Sequence, residues 1–237
     1  EKVKFIVTVS DETLFDNTYK KDDVINKLFK LTSNKSLTNL HLYNRDGSIK
    51  KYEGFTCIPS HLDFKQEIFG FYNTYAPLPH TPVNGPIDYS LRFIRHIFGS
   101  QVELGLDYLQ LLFIKPLQIL PILCLVSKER VTGKTTFLKW LKAIFDNNLT
   151  YLTNDNFSSQ FNADWANKLL ICIDEVLFNK EELTERIKYL STTDYNKLEA
   201  KGKDKREVEF FGKFILCSNN EDNFIKIDGN ETRFWVR

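Results

Sequence analysis

The chain has 237 residues, and 32 Lys and Arg face 31 Asp and Glu for a formal net charge of +1. That balance supplies no global field for a polyanion, so any grip on nucleic acid must come from a local patch. Hydrophobic residues at 42% and charged residues at 27% exclude a disordered or collagen-like chain and leave material for one large core.

The sequence contains no methionine, as expected of a piece of a longer product. Cys57, Cys124, Cys172 and Cys217 form no close pair, so a reducing compartment is expected rather than a zinc site or a disulfide framework. At the start, Lys4–Val9 reads as a strand and Asp22–Leu31 as a helix. Asp46-Gly47 between two strand-like runs predicts a hairpin turn. The stretch Pro77 to Pro86 reads as a linker. Beyond it, Asp88–Phe98 and Val102–Ile114 read as helices separated by Gly99-Ser100. The apolar run Tyr108 to Val126 is broken by Gln110, Lys115, Pro116, Gln118 and Pro121. It therefore reads as a helix end and a buried strand rather than a membrane span, which needs about 20 apolar residues. No secretory signal opens the chain.

From there the texture is α/β. Apolar runs over Ile119–Val126, Lys168–Ile173 and Phe214–Cys217 predict strands buried on both faces, with Phe234–Val236 starting a fourth. Helices are expected over Thr135–Phe145 and Glu181–Leu190 between them, which makes a mainly parallel sheet. Cys124, Cys172 and Cys217 fall on those strands as small apolar fillers.

The first strand runs into Lys128-Glu129-Arg130-Val131-Thr132-Gly133-Lys134-Thr135, which fits G-x-x-x-x-G-K-[ST] except that Lys128 replaces the first glycine. Amides at a helix N-terminus point at phosphate oxygens, and Gly133 lets the backbone come close. Lys134 then reaches the β- and γ-phosphates of ATP, and the Thr135 hydroxyl ligates Mg²⁺. Thr132, Gly133 and Thr136 complete the expected nucleotide-binding set. The second strand ends in Asp174-Glu175, where Asp174 holds Mg²⁺ and Glu175 polarises water. The third ends in Ser218-Asn219-Asn220, with Asn219 placed to orient water at the γ-phosphate. Between them, Lys197 to Arg206 carries five basic residues against two acidic ones around a turn at Gly202. A ribbon with Lys201, Lys203 and Lys205 near its tip would touch DNA phosphates without reading bases.

The order of these motifs, closed by Thr232-Arg233-Phe234, resembles superfamily 3 helicases, and among them poxvirus-type and phage-type primase-helicases. The likeness covers Phe71 to Arg237, and Phe71-Tyr72-Asn73-Thr74-Tyr75 is similar to the aromatic segment preceding the helical part of such proteins. The resemblance implies an AAA+-like P-loop NTPase core over residues 117–237, a helical collar over 71–116, and an N-terminal segment of uncertain fold over 1–70. It implies a homo-oligomeric ring, usually a hexamer, on single-stranded or forked DNA, with ATP between subunits and Arg233 as the finger reaching the neighbour's γ-phosphate. A primase domain in the parent chain and a setting in the bacterial host cell or the site of viral replication go with it. Thr232 stands where relatives often carry a second arginine. Two other readings stand beside the helicase: a DNA-associated P-loop ATPase acting as loader or switch, and a DNA-binding module needing no nucleotide.

Overall fold

A computed structural model of the chain describes residues 42–43, 48–50, 52–174, 181–202, 204–221, 224–225 and 230–237. The strand expected over Lys4–Val9, the helix expected over Asp22–Leu31, Asp46-Gly47, Glu175 and Lys203 lie outside those residues. The chain divides into two compact units, residues 1–51 and 52–237. In the first, β1 (Leu42–Tyr43) pairs antiparallel with β2 (Ile49–Lys50), the hairpin anticipated from the sequence.

The second unit opens with a small sheet. β3 (Gly54–Thr56) runs parallel to β5 (Phe71–Asn73), and β4 (Glu67–Ile68) pairs antiparallel with β5. Buried Asn73 ties the intervening loop down. Its Oδ1 accepts from the amides of Ile58 and Tyr75, and its Nδ2 donates to the carbonyls of Ile58 and Lys65. All of its hydrogen-bonding capacity is used, which is what a buried amide requires. His61 is likewise structural, bridging Tyr75 Oη at 2.7 Å and the Phe113 carbonyl at 2.9 Å.

Two helices follow, α1 (Asp88–Phe98) and α2 (Val102–Ile114). The main sheet is built from β6 (Ile122–Val126), β7 (Leu149–Leu152), β8 (Leu170–Ile173), β11 (Lys213–Ser218) and β12 (Phe234–Val236). These five strands lie in the order β12-β6-β11-β8-β7, and each neighbouring pair is parallel. Strand β6 begins after Pro121, which has no amide to give the ladder, so the expected start at Ile119 moves inward.

Alternate residues of each strand feed two cores, as a period of two demands. On one face Leu123, Leu125, Cys172, Ile215 and Cys217 meet Phe137, Leu138 and Leu141 of α3 (Lys134–Phe145), together with Ile94 and Phe98 of α1 and Leu112 of α2. On the other, Ile122, Cys124, Ile171, Ile173 and Leu216 meet Phe157 of α4 (Asn154–Ser158) and Ile187 and Leu190 of α5 (Glu181–Leu190). Burying each such side chain stabilises the fold by about 1.5–3 kcal/mol. The three strand cysteines are buried and free of disulfides. Burial pushes the Cys217 thiol up to about 12 and those of Cys124 and Cys172 well up, so they behave as apolar fillers.

Candidate active site

The parallel strands deliver three predicted motifs to one end of the sheet. The loop after β6 turns into α3 through Gly133, whose φ of +98° lies where a side chain is strained. An added Cβ there would also stand 3.2 Å from Ile97 Cδ1. No side chain caps the N-terminus of α3, and its first turn holds no acid. Its amides therefore remain available to an anion, with the helix dipole favouring negative charge.

The missing first glycine has a local explanation. Phe69, Val131 and Asp146 are the non-glycine residues with positive φ among those described, and Lys128 is not one of them. The left-handed bend falls instead at Val131, φ +64°, a β-branched residue for which that region costs about 1–3 kcal/mol. Gly133 takes a second positive φ two residues on. Lys128 anchors the loop: its amide donates to Glu221 Oε1 at 2.9 Å, and its ammonium lies 3.6 Å from Glu221 Oε2.

A cleft of about 420 Å³ opens here, lined by Arg130, Val131, Thr132, Gly133, Lys134, Thr135, Thr136 and Asn219. The Lys134 ammonium folds over the loop, donating to the carbonyls of Ser127 (3.3 Å) and Glu129 (3.4 Å) and to Thr132 Oγ1 (3.1 Å). Thr135 Oγ1 donates to Asp174 Oδ2 at 3.2 Å, joining the phosphate loop to the end of β8. A hydroxyl and a carboxylate converging beside a phosphate cradle suit Mg²⁺, a hard cation that takes oxygen ligands and completes its shell with water and phosphate. Among the described residues there is no group of three or more His, Cys, Asp or Glu suited to a metal. Asn219 follows β11, the strand between β6 and β8, and so faces the cleft from between the two motifs.

Two predicted elements sit elsewhere. Arg233 precedes β12, at the sheet end away from the cleft. Its Nε and Nη2 donate to Glu231 at 2.6 and 2.5 Å, and Lys188 of α5 lies 3.6 Å from the same carboxylate. Hydrogen bonding from Arg233 pulls the Glu231 carboxyl down to about 2. The basic ribbon forms as expected. β9 (Tyr195–Leu198) pairs antiparallel with β10 (Arg206–Glu209), and Gly202 takes φ +73° in the connection. Buried Asn162 pins its base through the backbone of Lys197 and Glu199. Lys201 is exposed, whereas Lys205 forms an ion pair with Glu199 at 2.8 Å.

Sequence reading missed Glu221 and Glu231, whose partners are named above. Glu231 stands two residues before Arg233, a spacing with no motif attached. Glu221 acts across 93 residues, beyond the reach of any local pattern.

No helix among the described residues is long and apolar enough to cross a membrane. A model of a family of unknown function (DUF5906) matches residues 125–233, less than half of the chain. No curated protein matches. Among solved structures, the apo structure of the NrS-1 C-terminal region matches with TM-score 0.64 and 22% identity over 78% of this chain and 47% of that one. Two A-form apo structures of that region give TM-scores of 0.61 and 0.64 at 23% and 21% identity. They cover 78% and 90% of this chain and 46% and 51% of theirs, so it spans about half the length of the solved chains it matches. At such identity the likeness concerns the fold alone: residues 52–237 contain a P-loop NTPase-type α/β core, and the chain shares its fold with the NrS-1 C-terminal region.

Proposed function

We propose that this chain is the ATP-driven motor of a DNA helicase from a viral or phage-type replication protein. The observation that carries the reading is the Thr135 Oγ1–Asp174 Oδ2 contact of 3.2 Å beneath an uncapped helix N-terminus. The amides of Gly133 to Thr136 and the Lys134 ammonium bind the triphosphate, and Thr135 and Asp174 hold Mg²⁺, which supplies charge neutralisation at the γ-phosphate when bound. Asn219 and Glu175 orient and polarise the water that attacks the γ-phosphorus as the bond to the bridging oxygen breaks. Arg233 acts on the nucleotide of an adjoining copy in a homo-oligomeric ring, a hexamer on the family resemblance. Lys201, Lys203 and Lys205 contact the phosphates of single-stranded or forked DNA. The resemblance also supports a primase domain elsewhere in the parent chain and a setting in a bacterial host cell or at a site of viral replication.

Purified protein in its assembled state should hydrolyse ATP faster with single-stranded DNA, and Lys134→Ala should abolish turnover. An assembled ring indifferent to every nucleic acid refutes the helicase reading. The ion pair between Lys205 and Glu199 reduces the ribbon's charge toward DNA and favours a second reading, a P-loop ATPase serving as loader or switch. Reversing Lys201 and Lys203 discriminates: a helicase loses DNA stimulation and keeps basal hydrolysis, whereas a switch that does not track DNA keeps both.

A further inference from the structure

The phosphate loop is braced from outside by the collar. His96 lies in the last turn of α1, and its Nε2 stands 2.9 Å from the Thr132 carbonyl oxygen. A carbonyl only accepts, so Nε2 carries the proton and donates. The same helix closes on the back of the next residue: a Cβ added at Gly133 would meet Ile97 Cδ1 at 3.2 Å, and His96 Cδ2 and Phe93 Cε2 at 3.6 Å. Among the described residues no peptide bond is cis. In a trans peptide the carbonyl and the following N–H point in opposite directions. Drawing the Thr132 oxygen toward α1 therefore turns the Gly133 amide away from α1 and into the cleft. A glycine peptide is otherwise the link of the loop freest to rotate.

We propose that His96 is a positioning residue for the triphosphate: by holding the Thr132–Gly133 peptide it presents the Gly133 amide to a phosphate oxygen and makes the collar part of the nucleotide site. The inference rests on the nucleotide-binding reading given above. It assigns a role to α1 that no motif suggested, because the contact joins residues 36 apart.

The test compares two variants that split the imidazole's properties. His96→Gln keeps an N–H donor of similar reach and loses the ring. His96→Phe keeps the ring's bulk and loses the donor. Both are titrated with a fluorescent ATP analogue in excess Mg²⁺, beside wild type, Lys134→Ala and the exposed neighbour Arg95→Ala. Loss of one hydrogen bond predicts about two- to tenfold weaker binding for His96→Phe. His96→Gln and Arg95→Ala should stay near wild type, and thermal midpoints should match. The inference is overturned if His96→Phe binds as wild type, or if His96→Gln is as weak as His96→Phe. Wild type that shows no binding sensitive to Lys134→Ala removes the nucleotide reading itself, and this inference with it. Wild-type binding abolished by Lys134→Ala but indifferent to His96→Phe removes the His96 role alone.

Discussion

Asp174→Asn separates the charge of the β8 carboxylate from its shape. The new amide oxygen still accepts the Thr135 hydroxyl now held at 3.2 Å, so thermal stability should move by no more than about 2 °C. What disappears is one negative charge where the proposed Mg²⁺ would bind. A single and a double charge of opposite sign about 4 Å apart would attract by about 2 kcal/mol even at the dielectric constant of bulk water, and by more inside a cleft. At about 1.4 kcal/mol per factor of ten, nucleotide affinity in excess Mg²⁺ should fall by at least about 30-fold. In EDTA the sign reverses, because the same carboxylate then only repels the triphosphate. The variant should bind metal-free ATP as tightly as wild type, or more tightly. Titrating a fluorescent ATP analogue under both conditions reads the difference directly. An equal loss with and without Mg²⁺, or no loss in either, refutes the assignment of Asp174 to the metal.

The remaining predictions concern charges with identified neighbours. Lys213 is 4% exposed and donates to the carbonyls of Pro116 and Phe211, and burial pulls its ammonium down to about 8. Between about pH 8 and the ordinary lysine value the unfolded chain binds a proton that the native state has released, so stability rises with pH there, by about 3 kcal/mol at most. Lys213→Met should remove that rise from thermal midpoints measured between about pH 8 and 10, and identical slopes for both proteins would refute the buried charge. Glu231 shows the opposite case. Its carboxyl is held near 2 by Arg233, so its stabilisation is present above the unfolded carboxylate value and is lost as pH falls through about 2. Glu231→Gln should flatten the acid limb of a denaturation profile, and an unchanged limb removes the pair from the stability of the fold. On the ribbon, Lys201→Ala should lower the salt dependence of single-stranded DNA binding by close to one phosphate contact, and Lys205→Ala by clearly less because Glu199 already neutralises it. An equal or larger effect at Lys205 contradicts the ion pair as a competitor for DNA.

The central strands were legible because burial on both faces leaves an uninterrupted apolar run. Leu123, Cys172 and Ile215 are completely buried, and their neighbours nearly so. β7 escaped the same reading for a physical reason. As an edge strand it buries Leu149 and Leu152 but leaves Tyr151 43% exposed, so its four residues show no run. The small sheet of β3, β4 and β5 is organised by the bonds of one amide, Asn73, which has no periodicity to detect. The phosphate loop was visible because its signature residues, Lys128 to Thr135, are consecutive. The Lys205–Glu199 pair was in principle accessible: the register that sets Arg206 against Leu198 places Lys205 opposite Glu199 one step further. Charge counting alone treats that lysine as a free cation, whereas the antiparallel pairing sets a carboxylate beside it.

A parallel sheet sorts the molecule by end, and that sorting bears on the motor reading. Ser127, Asp174 and Asn219 each follow the last residue of a strand, so the cleft lies at the C-terminal edge. Arg233 comes just before β12, and the ribbon of β9 and β10 leads back into Lys213, so both belong to the opposite edge. β11 is six residues long, about 20 Å at roughly 3.3 Å per residue, a span far beyond the reach of an arginine side chain. Within one chain the arginine and the phosphate loop cannot meet. A role for Arg233 in hydrolysis therefore requires a second copy, with its N-terminal sheet edge set against the first copy's cleft. On the proposed function, such an arrangement would make the nucleotide site and the basic ribbon properties of an assembly, since the loop of one subunit would be completed by the edge from which the neighbour's ribbon emerges.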